Sequence, residues 1–383
     1  MKILMNFGDY LATPERKKQN TYGGVGYYRI IKIAEQIKGH DVKVIGREIT
    51  DFGDDIDKQW DNVFKQYDVF WTNYFSDPRA GAAVFFYAQK RGKKVIIDVD
   101  DNYLDVPESN LQYEKYQSGK FDRASMSAIL SFSDALSVST EPLKERLHAH
   151  IKLVHGIDKP IYVLPNCNDK KDWEFEPAPK HEDRITIGYS GSNSHQDDLI
   201  MVMPAIKKLM RKYKNLWFET IGIIDKKKLR LYFKGMNNDE LDRCGLLPAT
   251  ATFKEYPEWL SEQKWDIGIA PLVDTSFTRS KSHIKWMEYS VYKIPTVASR
   301  VYPYFMDLHG VDTIEDGETG LLCTPNEWEE KLERLIEDKE LRIRLGKQAY
   351  DYVTDKWQYK KAFPSKVLEE MLDNLYAEPD ENK

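Results

Sequence analysis

Short apolar runs alternate with helical patterns along the first half of the chain. Apolar residues between positions 28 and 37 fall on one helical face, and Gly39 ends that helix. A second helix is predicted at residues 78–91. Such alternation is typical of βαβ units around a parallel sheet. The strands predicted in this half are residues 3–7, 42–45, 69–73, 95–99, 135–139 and 161–164.

Residues 168–184 are polar, carry prolines and lack this periodicity, as expected of a linker. After them the alternation starts again and predicts a second parallel sheet. Residues 225–253 show no regular pattern and include a basic run at 226–230, and we interpret them as a surface helix and loop. The elements predicted in this half are strands at residues 185–189, 216–221, 266–270 and 296–299, and helices at 282–291, 327–353 and 365–376.

These patterns predict an α/β protein of two Rossmann-like, doubly wound domains. A chain of 383 residues exceeds what one hydrophobic core usually supports, which agrees with two domains. We expect an N-terminal domain at residues 1–167, a linker at 168–184 and a C-terminal domain at 185–360. The last segment, 361–383, contains a helix that we expect to pack back on the N-terminal domain.

Composition and charge narrow the function classes. A net charge of -6 gives no general attraction to nucleic-acid backbones or anionic lipids. Cys167, Cys244 and Cys323 are widely spaced, which disfavours a disulfide framework and a zinc site and fits a reducing cytoplasm. The first apolar run is too short for a signal peptide, and no window approaches the roughly 18 apolar residues of a spanning helix. We expect a cytoplasmic protein without a transmembrane segment.

A glycine-containing loop follows the strand predicted at residues 185–189 and opens a helix. Backbone N–H groups of Gly191 and Ser192, together with the helix dipole, can hold a phosphate there. A purely structural strand-to-helix turn explains the same residues equally well. His195 begins the helix, where it either caps the helix and packs in the core or contacts the phosphate or sugar of a ligand.

A second candidate segment lies shortly after the strand predicted at residues 266–270. Ser280, Lys281 and Ser282 stand at a predicted helix N-terminus, where hydroxyls and a cation suit a diphosphate. Glu288 follows about two turns later on the same helical face and can accept both hydroxyls of a ribose. A surface ion pair between Lys285 and Glu288 fits the same spacing.

Three carboxylates cluster at the end of the strand predicted at residues 95–99. Asp98, Asp100 and Asp101 could orient hydroxyls of an acceptor or a sugar, or act as a base. Capping and loop hydrogen bonds are an alternative reading of these side chains. Binding of a divalent cation is a further alternative.

The order of these segments resembles that of GT-B glycosyltransferases of the large group 1, family 4-like class. The resemblance extends over nearly the whole chain. In the first half it includes the glycine loop at 23–26, which contains Gly24, and the positions 139–140 and 164–166. The segments that carry it in the second half are the strand at 185–189 with the Gly191 loop, 266–272, 281–289, 294–299 and 316–322.

The resemblance implies two Rossmann-like domains that face a cleft, and transfer of a sugar from a nucleotide diphosphate sugar. It also implies retention at the anomeric carbon and no bound metal or other cofactor, so the nucleotide sugar is a co-substrate. Family members often carry two glutamates separated by seven residues; Glu288 matches the second, and Ser280 stands at the first. The roles expected are catalytic for Asp100, Lys281 and Glu288; donor-binding for Gly191, Ser192, His195, Ser280, Lys281, Ser282 and Glu288; and acceptor-binding for Gly24, Asp98, Asp100 and Asp101.

The acceptor is left open by the sequence. A glycan, a lipid-linked glycan, a protein and a modified DNA base are all compatible partners, and peripheral binding to a membrane is compatible with the cytoplasmic location. Two other functions fit the same architecture. One is a nucleotide-sugar epimerase, and the other is an inactive module that binds a nucleotide sugar or a glycan, for which Ser280 in place of a glutamate is the supporting feature.

Overall fold

Two parallel six-stranded sheets form the framework of the protein. The structure is a computed structural model, and it describes residues 1–8, 22–46, 55–73, 78–110, 112–191, 195–221, 232–248, 252–306 and 313–377. The strands are β1 Lys2–Phe7, β2 Asp41–Gly46, β3 Val69–Thr72, β4 Lys94–Val99, β5 Ala135–Val138, β6 Ile161–Val163, β7 Ile185–Ser190, β8 Leu216–Ile221, β9 Cys244–Leu247, β10 Ile267–Ala270, β11 Thr296–Ser299 and β12 Leu321–Cys323.

Helices connect most of these strands. A π-helix, Gly26–Ile31, runs directly into α1, and a 3₁₀ turn, Lys170–Asp172, lies between the two sheets in the sequence. The α-helices are α1 Lys32–Ala34, α2 Ile56–Gln66, α3 Pro78–Lys90, α4 Tyr113–Tyr116, α5 Phe121–Phe132, α6 Glu141–His155, α7 Gln196–Lys212, α8 Asn238–Asp242, α9 Tyr256–Ser261, α10 Ser276–Arg279, α11 Ile284–Ser290, α12 Tyr302–Phe305, α13 Trp328–Glu337, α14 Lys339–Lys356, α15 Tyr359–Ala362 and α16 Ser365–Asn374.

The strand orders identify both sheets as doubly wound. The first has the order β2-β1-β3-β4-β5-β6, and the second has the order β12-β11-β10-β7-β8-β9. Counted from its own first strand, the second order is the Rossmann order, with the reversal of direction between β7 and β10. Ligands of such sheets bind beyond the carboxyl ends of the strands at that reversal. The predicted α/β class with two Rossmann-like sheets is confirmed.

Each sheet is covered on both faces by apolar layers. In β1, Leu4 faces one layer, whereas Ile3 and Met5 face the other. In β7, Ile187 and Tyr189 pack into the layer that contains side chains of α7 and α13. Side chains alternate between the faces of a strand, so runs of consecutive apolar residues are what a strand buried on both faces requires.

Two glycines allow close packing against the second sheet. Gly188 of β7 and Gly268 of β10 are paired across the strands. A Cβ on Gly188 would lie 1.8 Å from the Trp265 ring, and one on Gly268 would lie 2.6 Å from the ring of Tyr289. The Tyr289 hydroxyl, in turn, accepts a hydrogen bond from the backbone N–H of Ser190 at 2.8 Å. Gly268 therefore lets α11 pack close to the sheet, and Gly188 makes room for the Trp265 indole that precedes β10.

Gly188→Ala is expected to destabilise the second sheet by about 1–3 kcal/mol, because the added methyl must displace a fully buried indole. The measurement is the free energy of unfolding from urea denaturation. Gly235→Ala is not a suitable control, because Gly235 has a positive φ of 82°. Ala205→Gly in α7 is a better control, with an expected loss of only about 1 kcal/mol. Equal stability of Gly188→Ala and wild type would contradict the packing argument.

Several features depart from the sequence-based expectation, including helices α2 and α5, which were not predicted. Strand β9 and helix α8 lie within residues 225–253, where no regular element was predicted beyond a surface helix and loop. Strand β12, with only three residues, was not predicted either. The helical pattern at 327–353 is two helices, because Asp338 adopts an extended backbone and caps α14 by accepting from the N–H of Leu341. The basic run predicted on a surface helix at 226–230 lies outside the described residues.

The C-terminal helix shares a core with the first sheet. Leu368, Met371 and Leu372 of α16 belong to the same apolar layer as Ile3 and Met5 of β1. The domain limits given above stay a prediction. Among the described residues, no helix is long and apolar enough to cross a membrane.

Candidate active site

Loops at the carboxyl edges of the two sheets meet and form the candidate site. Segments that follow strands of one sheet contact segments that follow strands of the other, as the reversal of strand order favours. Residues more than a hundred positions apart in the sequence become neighbours there. The contacts across this cleft include Asp101 with Lys281, Thr140 with Ser280, Asn166 with Ser282 and Tyr28 with Glu288.

Lys281 lies between the two halves. Its Nζ is 2.8 Å from Oδ1 of Asp101 and 4.6 Å from the centre of the Phe277 ring. Burial disfavours the ammonium, but the carboxylates of Asp101 and then Asp100 outweigh that cost and raise the pKa of Lys281. The ammonium is therefore charged at neutral pH, and its present partner is a carboxylate of the opposite half.

Lys285 lies four positions further along the chain, in the first turn of α11, and has a different environment. Its Nζ lies 5.4 Å from the centre of the Tyr189 ring, and it makes no hydrogen bond or ion pair with another described residue. Burial lowers its pKa to about 8, and the nearby cation of Lys281 acts in the same direction, while Glu288 opposes both. The surface ion pair with Glu288 that the spacing allowed is absent. Lys285 is therefore a partly buried cation without an anionic contact among the described residues.

His195 and Asp198 form a pair at the N-terminus of α7. His195 Nδ1 lies 2.7 Å from Oδ2 of Asp198, and the other oxygen of Asp198 accepts from the N–H of Val273 at 2.7 Å. Burial and then the cations of Lys285 and Lys281 hold the pKa of His195 far below its usual range. Burial raises the pKa of Asp198 to about 6. The imidazole is therefore neutral in the free protein, and it is oriented by Asp198 beside the two lysines.

Glu288 is buried, with 6% of its surface exposed, at the cleft side of α11. Its Oε1 accepts from the Tyr28 hydroxyl at 3.2 Å, and its Oε2 lies 3.2 Å from the hydroxyl of Tyr256. Burial raises the pKa of Glu288 to about 7, against the lowering effects of Lys285 and of the two hydroxyls. A carboxyl group in this position changes its charge near neutral pH.

Gly191 lies directly after β7, as predicted. A Cβ at this position would lie 2.5 Å from the Tyr189 hydroxyl, so a side chain is excluded unless the tyrosine moves. The packing of Tyr189 alone therefore accounts for a glycine here, whether or not a phosphate binds. Ser192, the neighbouring residue predicted to bind the donor, lies outside the described residues.

Ser280 and Ser282 are used in contacts between the halves. The Ser280 hydroxyl donates to the carbonyl of Ser276 and accepts from the amide of Asn102, and its residue is 2% exposed. The Ser282 hydroxyl accepts from the Asn166 amide at 2.9 Å. The prediction that these residues stand at a helix N-terminus is wrong, because Ser280 is the C-cap of α10 and α11 begins at Ile284 after its N-cap His283. Their predicted donor-binding role stays a prediction, and both hydroxyls hold the segment between α10 and α11 against the first half.

Asp98 is the innermost of the three clustered carboxylates. It forms a bidentate ion pair with Arg29, with distances of 3.0 and 2.8 Å, and accepts from the Ser137 hydroxyl. Arg29 also donates to the carbonyl oxygen of Leu164. Both charged side chains are almost completely buried. The acceptor-binding role predicted for Asp98 stays untested, and the carboxylate has no exposed surface with which to meet an acceptor in this state.

Asp100, Asp101 and Gly24 are the other residues predicted on the acceptor side. Burial, followed by the charges of Asp101 and Asp98, raises the pKa of Asp100 to about 7. The partly exposed Asp100 carboxylate makes no hydrogen bond to another described residue. Gly24 faces the Phe253 ring of the second half, which would lie 3.5 Å from a Cβ at that position. All three therefore line the junction of the halves.

An open pocket lies between the halves at this junction. It includes residues after β5 and β6 on one side and the start of the α11 segment on the other. Lys281 is the charged side chain in its wall. The lining residues are Ser139, Thr140, Pro165, Lys281, Ser282, His283, Tyr302, Pro303, Met306 and Trp357.

Solved structures share this architecture. The catalytic domain of starch synthase IV from Arabidopsis thaliana, bound to ADP and acarbose, superimposes with a TM-score of 0.63 at 12% identity and covers 98% of this chain and 99% of its own. An α-glucosyltransferase in complex with UDP-glucose and DNA containing an abasic site gives a TM-score of 0.62 at 12% identity, with the same coverage. The chain has the GT-B fold.

A third similar GT-B structure is TarM of S. aureus, with a TM-score of 0.58 at 15% identity. The match covers 83% of this chain and 58% of TarM, so the chain spans little more than half of that protein. No protein-family model matches the sequence, and no curated protein matches it.

The two sides of the GT-B cleft differ in charge. Lys281, Lys285 and the N-terminal end of α7 concentrate positive potential beside the reversal of strand order, which suits an anion. Asp100 and Asp101 face them from the first half and can accept protons or hydrogen bonds from hydroxyls. Among the described residues, no group of three or more His, Cys, Asp or Glu side chains is arranged to hold a metal ion.

Sequence reasoning missed two features of this site. Lys285 was placed near Lys281 and Glu288 but was given no donor-binding role, although it lies close to Lys281 and His195 in the structure. The tyrosine contacts of Glu288 come from the π-helix and from α9, which lie 260 and 32 residues away. No local sequence pattern predicts such contacts.

Proposed function

We propose that the protein is a glycosyltransferase that moves a sugar from a nucleotide diphosphate sugar to an acceptor hydroxyl. The observation that carries the proposal is the group of Lys281, Lys285 and His195 at the N-terminus of α7, next to the carboxyl group of Glu288. A diphosphate needs cations and N–H donors, and a ribose needs a hydrogen-bond acceptor within a short distance of them. The GT-B fold and the nucleotides bound in the similar structures support the same proposal.

The donor occupies the second half in this proposal. The ammonium groups of Lys281 and Lys285 bind the diphosphate, with the backbone N–H of Ser192 and the hydroxyls of Ser280 and Ser282 beside them. The N–H of Gly191 donates to the carbonyl of Ile221 at 3.3 Å and exchanges this partner for the phosphate. Glu288 accepts from the ribose hydroxyls. His195, whose imidazole is neutral in the free protein, accepts from a sugar hydroxyl or gains a proton beside the bound phosphates. The two cations stabilise the charge that develops on the departing nucleotide diphosphate.

The acceptor approaches from the first half. Asp100 and Asp101 orient its hydroxyl, and Asp100 accepts the proton, for which its pKa of about 7 is suited. Asp98 supports these two carboxylates by holding Arg29 in place. Gly24 leaves room for the acceptor at the glycine loop. We propose retention at the anomeric carbon and a reaction without a bound metal, with a hexose or pentose as the transferred sugar. A glycan, a lipid-linked glycan, a protein and a modified DNA base remain the acceptor classes, and the cytoplasm, with peripheral membrane binding as the alternative, remains the proposed location.

A panel of nucleoside diphosphates and nucleotide sugars tests the proposal by thermal shift. A ligand at about 100 times its dissociation constant adds about 2.7 kcal/mol to stability, so one nucleotide should raise the unfolding temperature clearly. The nucleotide sugar identified in this way is then incubated with candidate acceptors, and transfer is detected by mass spectrometry. Absence of a shift with every nucleotide would sink the proposal, and conversion of the sugar without an acceptor would indicate an epimerase.

Nucleotide affinity is expected to pass through a maximum between pH values of about 7 and 8. Below the lower value Glu288 gains a proton and can no longer accept both ribose hydroxyls. Above the higher value Lys285 loses its charge and attracts the diphosphate less. Both groups belong to one interacting pair, so the two limbs are properties of the pair.

Calorimetric titration across this pH range measures the profile. Glu288→Gln should remove the acidic limb and Lys285→Met the alkaline limb. Lys347→Met, an exposed lysine on α14, serves as the control and should keep the wild-type profile. An affinity that does not vary with pH in the wild type would contradict the assignment of both residues.

A further inference from the structure

Glu288 is connected to both halves of the protein through tyrosine hydroxyls. On one side its Oε1 accepts from Tyr28, which belongs to the π-helix of the first half. On the other side its Oε2 lies beside the Tyr256 hydroxyl, which is 2.8 Å from Oγ of Ser190. Ser190 is the last residue of β7 and directly precedes Gly191. A chain of hydrogen bonds thus runs from the first half through Glu288 to the proposed phosphate loop.

Tyr28 is held firmly in the position from which it contacts Glu288. The residue is 3% exposed, and its ring packs edge-on against Tyr27 and Phe253, with centroids 4.9 and 5.5 Å away. Its carbonyl oxygen accepts from the Tyr359 hydroxyl at 3.3 Å. A π-helix is rare and is often found at functional sites. The hydroxyl is therefore presented to Glu288 by packing, without the mobility of an exposed side chain.

The number of hydroxyl protons in this chain of hydrogen bonds gives Tyr28 a distinct role. Tyr256 has one hydroxyl proton and two neighbours, Glu288 and Ser190, so it can donate to only one of them at a time. When Tyr256 donates to Ser190, the hydroxyl of Tyr28 is the remaining donor to the carboxylate among these hydroxyl groups. Ionised Glu288 is therefore stabilised by a group that reaches it only when the halves are in contact.

We propose that Tyr28 is a positioning residue that holds the Glu288 carboxylate in its ionised, nucleotide-binding form from the opposite half of the cleft. The inference rests on the proposed function, because it takes Glu288 as the acceptor for the ribose hydroxyls. Without the Tyr28 hydroxyl, the buried carboxyl group has one donor fewer, which favours its protonated form. A nucleotide that prefers the ionised carboxylate therefore binds more tightly when Tyr28 donates to it.

The other groups that face Glu288 act equally in the wild type and in a variant that lacks only the Tyr28 hydroxyl. Lys285 on its own helix and Tyr256 on α9 both stabilise the ionised form. The charge of Glu288 is also felt by Tyr289 and Tyr292, and by Tyr304 on α12. None of these contacts depends on the Tyr28 hydroxyl.

Tyr28→Phe tests the proposal, because it removes the hydroxyl and keeps the packed ring. The probe is the nucleoside diphosphate that gives the largest thermal shift with wild type, titrated calorimetrically across neutral pH. At pH 7 we expect roughly tenfold weaker binding, as for loss of one hydrogen bond to a charged group. The loss should shrink as pH rises, because removal of a group that lowers the pKa of Glu288 raises that pKa and shifts the acidic limb upward.

Tyr27→Phe is the matched control. Tyr27 is the neighbouring ring, and its hydroxyl donates to Asp172 at 2.7 Å, away from Glu288. This variant should bind the nucleotide as wild type does. In a Glu288→Gln background, where no charge can be gained or lost, Tyr28→Phe should cause no shift of the pH profile.

Wild-type affinity and an unshifted acidic limb in Tyr28→Phe would overturn the role of Tyr28 while leaving the proposed function intact. If wild type binds no nucleotide at all, the proposed function fails, and the role of Tyr28 fails with it.

Discussion

Lys281→Ala is expected to lower the rate of nucleotide release from the sugar donor by about 10²–10³, the usual cost of losing one electrostatic contact with a developing charge. The ammonium of Lys281 lies at the junction of the halves and is 14% exposed. Its charge is preserved by facing carboxylates in spite of burial. A buried cation with this support is available to neutralise a departing diphosphate, and alanine provides nothing in its place.

The rate is measured as release of the nucleoside diphosphate from the nucleotide sugar that stabilises the wild type. Arg279→Ala is the matched control, since Arg279 is a cation in the same segment that pairs with Asp274 on the surface. It should keep the wild-type rate within about a factor of two, as expected for an exposed ion pair. Full activity of Lys281→Ala, together with loss of activity in Arg279→Ala, would show that Arg279 neutralises the diphosphate and that the assignment to Lys281 is wrong.

The ion pair with Asp101 predicts a second difference between variants. Asp101 forms an ion pair with the Lys281 ammonium that the diphosphate needs, so the nucleotide must compete with the Asp101 carboxylate for this ammonium. Asp101→Asn removes this competition and should tighten nucleotide binding several-fold, as for loss of a weak ion pair in partial contact with solvent. Transfer to an acceptor should nevertheless fall if Asp101 orients the acceptor hydroxyl. Binding and transfer thus change in opposite directions, which a purely structural ion pair would not produce.

The general architecture could be predicted from the sequence, because strands that are buried on both faces of a sheet appear as continuous apolar runs. Strands β8 and β11 have the predicted limits, and most others differ by one or two residues at an end. Strand β9 was missed because its burial is only partial, and an edge strand with Leu246 exposed lacks the continuous apolar run of a central strand. The break at Asp338 was missed because the apolar spacing continues through it.

The candidate site was less predictable, because its decisive contacts join distant segments. The sequence placed Asp101 and Lys281 on opposite sides of a cleft, but their ion pair became evident only in three dimensions. Ser280 and Ser282 were predicted as phosphate ligands at a helix N-terminus. In the structure Ser280 is the C-cap of α10, Ser282 precedes the N-cap of α11, and their hydroxyls contact Asn102 and Asn166. The spacing of residues along a segment predicts which side chains share a face of that segment. It does not predict which residue of the other domain contacts them.

Arg29→Ala is expected to destabilise the first half by about 3–5 kcal/mol, because it leaves the carboxylate of Asp98 buried without a countercharge. Arg29 supplies two donors to Asp98 and one to the Asn166 side chain, and all of these are lost together. Urea denaturation followed by the fluorescence of the buried Trp60 and Trp71 measures the loss. Stability within about 1 kcal/mol of wild type would show that the pair contributes no more than a surface ion pair does.

The double variant Arg29→Met with Asp98→Leu separates structural support from contact with an acceptor. Replacing both charges by apolar side chains of similar size removes the unpaired charge, and such exchanges are often neutral or stabilising by about 1–4 kcal/mol. Much of the stability lost in Arg29→Ala should therefore return. If the stable double variant still transfers sugar, Asp98 acts only by holding the arginine and the end of β4. If it is stable and binds nucleotide but does not transfer, the Asp98 carboxylate meets the acceptor during the reaction, as the sequence predicted.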